Sequence, residues 1–148
     1  MGKKPEKHVK HVKTLRETRE FGLWLADLAR AGMVIGLVGG LGMGKTTLVR
    51  AIAEGLGAEG PVTSPSFALI HEYGGGRLPL YHFDVYRLGG SDEMRGLGFE
   101  EYFYGGGLTV VEWADRVAGF LPPDALVIRI ECPSGDICGE ERVYTYEC

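Results

Sequence analysis

The spacing of apolar residues changes several times along this chain, and each change marks an element. Phe21, Trp24, Leu25 and Leu28 recur at helical spacing, which predicts a helix with that stripe facing inward. Thr14 and Glu17 match a capping box ahead of it, and Gly32 offers a stop. Met33–Val38 is a continuous β-favouring run of the kind found in a strand buried on both faces. After a glycine-rich stretch at 39–44, Val49, Ile52, Ala53 and Leu56 mark the inner side of a helix over 45–56, closed by Gly57. Phe67–Tyr73 and Leu80–Asp84 predict an antiparallel hairpin around a loop containing Gly74-Gly75-Gly76. Ser91–Gly96 predicts a short helix, Leu108–Val111 a buried strand, and Trp113–Phe120 a short helix stopped by Pro122-Pro123. Ala125–Ile130 and Arg142–Tyr146 read as closing strands. The pattern describes a single α/β domain: a mixed central sheet, parallel around the first glycine loop and partly antiparallel elsewhere, flanked by helices.

Composition narrows this picture. A chain of 148 residues, 45% hydrophobic and 24% charged, suits one globular domain rather than a disordered segment. Glycine is abundant, at 24 positions, but without the period of collagen. The longest charge-free apolar stretch, Ala31–Gly44, is too short and too broken to span a bilayer. No secretory signal follows the early lysines, and three cysteines without a CxxC pair argue against a disulfide framework or zinc site. A cytoplasmic protein is the expectation. Charge is uneven, with seven Lys/Arg against two Glu in residues 1–19 and nine against eighteen in the remainder. Residues 1–13 are therefore expected to be a flexible basic arm and residues 14–148 the folded domain. Direct contact of that arm with RNA phosphates is the functional alternative.

The chemistry concentrates at Gly39-Gly40-Leu41-Gly42-Met43-Gly44-Lys45-Thr46, which satisfies G-x-x-x-x-G-K-[ST] between a buried strand and a helix. Glycines let the backbone curl so that successive N–H groups point at phosphate oxygens, and the helix start adds its partial positive charge. Lys45 bridges terminal phosphates in such a loop, and the Thr46 hydroxyl is placed to ligate Mg²⁺. This defines a P-loop domain. A carboxylate is also required near the metal, and Asp84 and Glu112 each end a strand-like run. A surface strand-end acid is the other reading of either alone, but both being idle does not suit a nucleotide–Mg²⁺ site. His82 reads as a half-buried structural histidine. Arg87 and Arg116 are open between a phosphoryl contact and an ordinary ion pair. The chain has one lysine after residue 13, Lys45, so the N/T-K-x-D segment of guanine-specific GTPases is absent and ATP is the working nucleotide.

Taken with Thr47, Ser64-Pro65-Ser66-Phe67, Tyr81-His82-Phe83-Asp84-Val85-Tyr86-Arg87-Leu88 and Val111-Glu112-Trp113, the loop resembles the TsaE (YjeE) family from about Thr14 to Glu131. The resemblance implies a Mg²⁺-dependent ATPase of bacterial tRNA threonylcarbamoyladenosine synthesis. It implies TsaB and TsaD as protein partners and tRNA reached indirectly through them, with no membrane. Residues 39–47 would bind the phosphates, Thr46, Asp84 and Glu112 the metal, and Lys45, Asp84 and Glu112 would serve catalysis. Ser64–Phe67 resembles a switch segment, Trp113 a tryptophan beside the nucleotide, and Thr18 the segment near the adenine; core packing is the other reading of Trp113. Gly40 stands where the family usually carries an acid, and Ser66 where threonine is common, so slow turnover of the isolated subunit is expected. Two other functions fit the same loop: a small metabolite kinase, or a nucleotide-gated binding module without turnover.

Overall fold

The computed structural model describes residues 6–40, 42–63, 70–88 and 91–147. Its strands are β1 (Lys7–Val12), β2 (Val34–Val38), β3 (Ile70–Tyr73), β4 (Leu80–Asp84), β5 (Leu108–Glu112), β6 (Leu126–Glu131) and β7 (Arg142–Glu147). They form one sheet in the order β1-β7-β6-β2-β5-β4-β3. β2 pairs in parallel with β5 and β6, and β4 with β5, whereas β1/β7, β6/β7 and β3/β4 are antiparallel. The mixed P-loop sheet expected from the sequence is present, with its parallel strands at the centre. Phe67, Ala68 and Leu69, expected to begin β3, lie outside the described residues, as do Ser64, Pro65 and Ser66.

Helices cover the sheet on two sides: α1 (Leu15–Leu28) and α2 (Lys45–Leu56) on one, and α3 (Ser91–Gly96), α4 (Phe99–Phe103) and a 3-10 helix, Ala114–Phe120, on the other. Side-chain alternation along the strands sorts the core. Ile35 and Leu37 of β2, Leu108 and Val110 of β5, and Ile128 and Ile130 of β6 pack beneath α1 and α2. Val34, Val38, Phe83 and Val111 face the opposite way, against Met94, Phe99, Phe103, Ala114 and Val117. The same parity puts His82 and Asp84 of β4 and Glu112 of β5 on the α2 side, at the C-terminal ends of parallel strands. Ligands of open α/β sheets bind there.

Thr14 starts α1 as predicted, its Oγ1 accepting a hydrogen bond from the Glu17 amide at 3.1 Å. The inward stripe differs from the expected one. Trp24 and Leu28 stay 40% and 45% exposed, because Gly22, Leu25 and Ala26 take the centre of the buried face. The small residues bring α1 and α2 into close contact: a Cβ on Gly22 would lie 2.3 Å from Ala51 Cβ, and one on Gly55 2.5 Å from Ala26 Cβ. α1 also ends before Gly32, at an extended Ala29, and Gly32 (φ 84°) shapes the following turn instead.

The basic arm is not frayed over its second half. Lys7–Val12 forms β1, paired along its length with β7, and Val12 is fully buried in the core. Sequence reasoning missed this strand because its exposed positions are mostly Lys and His, as suits a sheet edge. No described helix is long and apolar enough to cross a membrane.

Close helix packing has a measurable consequence. Gly22→Ala is expected to destabilise the fold by about 1–3 kcal/mol in urea unfolding, and adding Ala51→Gly should recover part of that loss. An unchanged midpoint for the single variant would show that α1 and α2 separate without penalty.

Candidate functional site

β2 ends at Val38, and the chain turns through Gly42 (φ 77°) and Gly44 (φ 87°), left-handed backbone that favours glycine, into α2. Lys45, the first residue of α2, is only 5% exposed. Its Nζ donates to the carbonyls of Gly39 and Gly40, each at 2.7 Å, and lies 3.9 Å from the centre of the Trp113 ring. Burial pushes the Lys45 ammonium below its ordinary value, while Glu112, Asp84 and Asp115 pull it back up. The lysine is thus held in the loop as a partly desolvated cation.

Thr46 projects from the next position toward β5. Its hydroxyl lies 3.2 Å from both carboxylate oxygens of Glu112. Glu112 Oε2 also accepts from Nε2 of His82, on the neighbouring strand β4. His82 is fully buried, not half-buried as expected, and its Nδ1 is without a partner among the described residues. Asp84 pairs in register with Glu112 across β4 and β5, and its Oδ1 accepts from the Tyr86 amide at 3.1 Å.

Lys45, Thr46, Asp84 and Glu112 line an open cleft of about 370 Å³ together with Gly42, Met43, Gly44, Thr47 and Trp113. Trp113 takes the left-handed backbone (φ 62°), unusual for a bulky residue, and this turn begins the 3-10 helix. Strain of this kind clusters at functional sites. A second pocket of about 240 Å³ opens on the other side of the same loop. Leu15, Thr18, Tyr144, Arg142 and residues 137–140 line it with the loop. Tyr144 donates its hydroxyl hydrogen to Thr18 Oγ1 at 3.4 Å, and burial raises the Tyr144 phenol above its usual value.

Most of the residues singled out in the sequence therefore meet. Gly42 through Thr47, Asp84, Glu112 and Trp113 line one cleft, Gly39 and Gly40 hold Lys45, and Thr18 lines the adjoining pocket. Leu41 lies outside the described residues. Arg87 and Arg116 line neither cavity; Arg116 stacks on Tyr86 with its guanidinium 4.7 Å from the ring centre. Two contributors were not assigned to the site from the sequence, His82 being read only as a structural histidine. His82 shares strand parity with Asp84, a signal that could have placed it beside Glu112. Arg142, which grips the loop from outside, offered none.

A buried strand, a glycine turn, a lysine-threonine helix start and an acid on the adjacent parallel strand define the P-loop nucleotide-binding class. Known proteins narrow the class. The family described as threonylcarbamoyl adenosine biosynthesis protein TsaE matches residues 12–140. The tRNA threonylcarbamoyladenosine biosynthesis protein TsaE of Bacillus subtilis is 45% identical over 130 residues, 88% of this chain and 78% of its own. Its counterpart in Streptomyces coelicolor is 45% identical over 130 residues, covering 86% and 87%. The crystal structure of Bacillus subtilis YdiB superposes with a TM-score of 0.81 at 37% identity, covering 99% of this chain and 88% of that one. The chain belongs to the TsaE family, as the motif resemblance implied.

The buried pair on β4 and β5 can be tested without a ligand. His82→Leu removes the donor and leaves the Glu112 carboxylate short of a partner, so it should lower unfolding stability by about 1–3 kcal/mol. His82→Gln, whose amide can still donate, should lose less. Equal stability of both variants with the parent would show that the pair contributes nothing to the fold.

Proposed function

We propose that this chain binds and hydrolyses Mg·ATP as the accessory subunit of tRNA threonylcarbamoyladenosine synthesis, acting in the cytoplasm with TsaB and TsaD. The modified base would be the adenosine next to the anticodon, and tRNA would be reached through the complex. One observation carries this reading: a desolvated lysine, a threonine hydroxyl and a strand-end carboxylate converge on one glycine loop in a member of the TsaE family.

The donor set suits magnesium. Thr46 and Glu112 offer hard oxygens within 3.2 Å of each other, and Asp84 ends the adjacent strand in register. Mg²⁺ takes one or two such ligands, with phosphate oxygens and water filling the rest. Among the described residues no cluster of three His, Cys, Asp or Glu side chains holds a metal alone, which fits an ion arriving with its nucleotide. When bound, Mg²⁺ neutralises charge on the β- and γ-phosphates. Lys45 would leave the carbonyls of Gly39 and Gly40 for phosphate oxygens, a charge-assisted contact. Glu112 and Asp84 would orient water in line with the γ-phosphorus and accept its proton as the bond to ADP breaks. Trp113 would close the phosphate side of the cleft. Thr18 and its pocket would take the nucleoside.

Lys45 is the one basic side chain lining the catalytic cleft among the described residues. Among the described residues no arginine lines this cleft to meet charge building on the γ-phosphate, so turnover of the isolated subunit should be slow. Phosphate release should rise when TsaB and TsaD are added; a rate in the isolated subunit comparable with that of a kinase would overturn this part. Label from the γ-phosphate should appear as inorganic phosphate, and its transfer to a small molecule would favour a kinase instead.

Variants separate binding from chemistry. Lys45→Ala should weaken Mg·ATP binding about tenfold or more in calorimetry and abolish hydrolysis. Glu112→Gln should bind Mg·ATP within about threefold of the parent yet hydrolyse it at least about a hundredfold more slowly. Gly40 gives a complementary test. A Cβ there would meet nothing within 4 Å, so Gly40→Asp places an acid where the family usually has one without a clash at Cβ. It should raise isolated turnover with little change in melting temperature, and an unchanged rate would show that this carboxylate has no part in hydrolysis.

A further inference from the structure

The geometry points to Arg142 as a positioning residue that holds the phosphate loop in its binding shape and couples it to the segment 132–141. This rests on the nucleotide-binding reading above and goes beyond it: Arg142 belongs to neither the phosphate nor the metal ligand set proposed there, and it also lines the pocket proposed for the nucleoside, so the test uses a ligand without one.

Arg142 opens β7 and is only 7% exposed. A guanidinium carries five N–H donors in a fixed planar fork, and here each finds a backbone carbonyl. Nε donates to Met43 at 3.1 Å. Nη2 donates to Gly42 at 3.2 Å and Ile137 at 2.8 Å, and Nη1 to Gly139 at 2.9 Å and Glu141 at 2.7 Å. Two of these carbonyls belong to the glycine loop and three to the segment before β7. β7 itself is held on both edges by β1 and β6, so the fork projects from a rigid support.

The direction of these bonds matters more than their number. A peptide unit is planar and trans, so its N–H points opposite to its C=O. With the Gly42 and Met43 carbonyls turned toward Arg142, the amides of Met43 and Gly44 are turned away from it. An anion-binding nest needs this arrangement, in which carbonyls face out and amides converge. The Met43 amide meanwhile makes only a long bond, 3.4 Å, to the Gly40 carbonyl. Lys45, drawing on the carbonyls of Gly39 and Gly40, fixes the first half of the loop; Arg142 fixes the second half. Ile137 adds a contact on the same side, because a Cβ on Gly42 would come within 3.0 Å of its Cδ1. Filling the phosphate cup should therefore tighten residues 137–142 through the guanidinium, even when no base or sugar is present.

Magnesium tripolyphosphate, which has no nucleoside to touch the second pocket, isolates that coupling. In amide hydrogen exchange on the wild-type protein, it should slow exchange at residues 42–46 and also at 137–142. Slowing at 42–46 alone would overturn the coupling while leaving the nucleotide site intact. Failure of Mg·ATP and magnesium tripolyphosphate alike to bind would overturn the nucleotide reading and this inference with it. Arg142→Lys keeps the charge but loses the fork. Well below its melting temperature it should bind tripolyphosphate at least about tenfold more weakly, as expected when a preorganised loop is misplaced. The slowing at 137–142 should vanish, and Mg·ATP hydrolysis should show a raised KM with kcat changed far less. Unaltered affinity in a folded Arg142→Lys protein would reduce Arg142 to a structural part; if the variant does not fold, the wild-type exchange pattern decides.

Discussion

Setting a carboxylate at the end of a buried strand carries a desolvation penalty of several kcal/mol unless donors meet it, and the site is organised by how Glu112 meets that demand. His82 reaches it from β4 and Thr46 from α2. Each donor belongs to a different element, so satisfying one carboxylate fixes the spacing of β4, β5 and the start of α2. The start of α2 sets where the glycine loop must end, and thereby where Lys45 is buried. A buried charge that draws three chain segments together is a specificity device as well as a chemical one: shifting β4 by one residue would turn His82 and Asp84 to the other face.

The loop between β2 and α2 has opposite needs on its two sides. Its amides must remain available for a ligand, whereas its carbonyls cannot be left without partners in a half-buried turn. Lys45 and Arg142 divide those carbonyls between them, one from inside the loop and one from outside. In the proposed nucleotide-bound state Lys45 would exchange its carbonyls for phosphate oxygens. Arg142, matched on all five N–H groups, gains nothing by moving. A loop with one movable and one fixed cation would be preorganised yet still responsive, as the proposed partner-dependent ATPase requires.

Family membership and the site geometry support each other at different levels. Similarity across 88% of the chain to the Bacillus subtilis TsaE protein speaks for the protein as a whole, while the cleft speaks for particular atoms. Gly40 is where the two part. The motif resemblance expects an acid there, and the site leaves open space around that position.

Features legible in the chain were local ones. The Thr14 cap, the apolar β2 run, the G-x-x-x-x-G-K-T loop and its helix arise from residues within a few positions of one another, where backbone sterics and short-range hydrogen bonds dominate. Asp84 and Glu112 could be nominated because strand ends are visible as changes of pattern. What no local pattern could convey was pairing over distance. His82 lies thirty residues from Glu112, and Arg142 a hundred from Gly42. β1 exists because β7 offers it an edge; its own Lys- and His-rich sequence argues only for exposure. The hydrophobicity of Trp24 argues for a core position, but Gly22 packs closely on Ala51 and the buried face is taken by Gly22, Leu25 and Ala26, so Trp24 stays 40% exposed. Those outcomes depend on which surfaces meet once the chain has collapsed, and that is settled by volume and by the pairing of buried polar groups across the whole molecule.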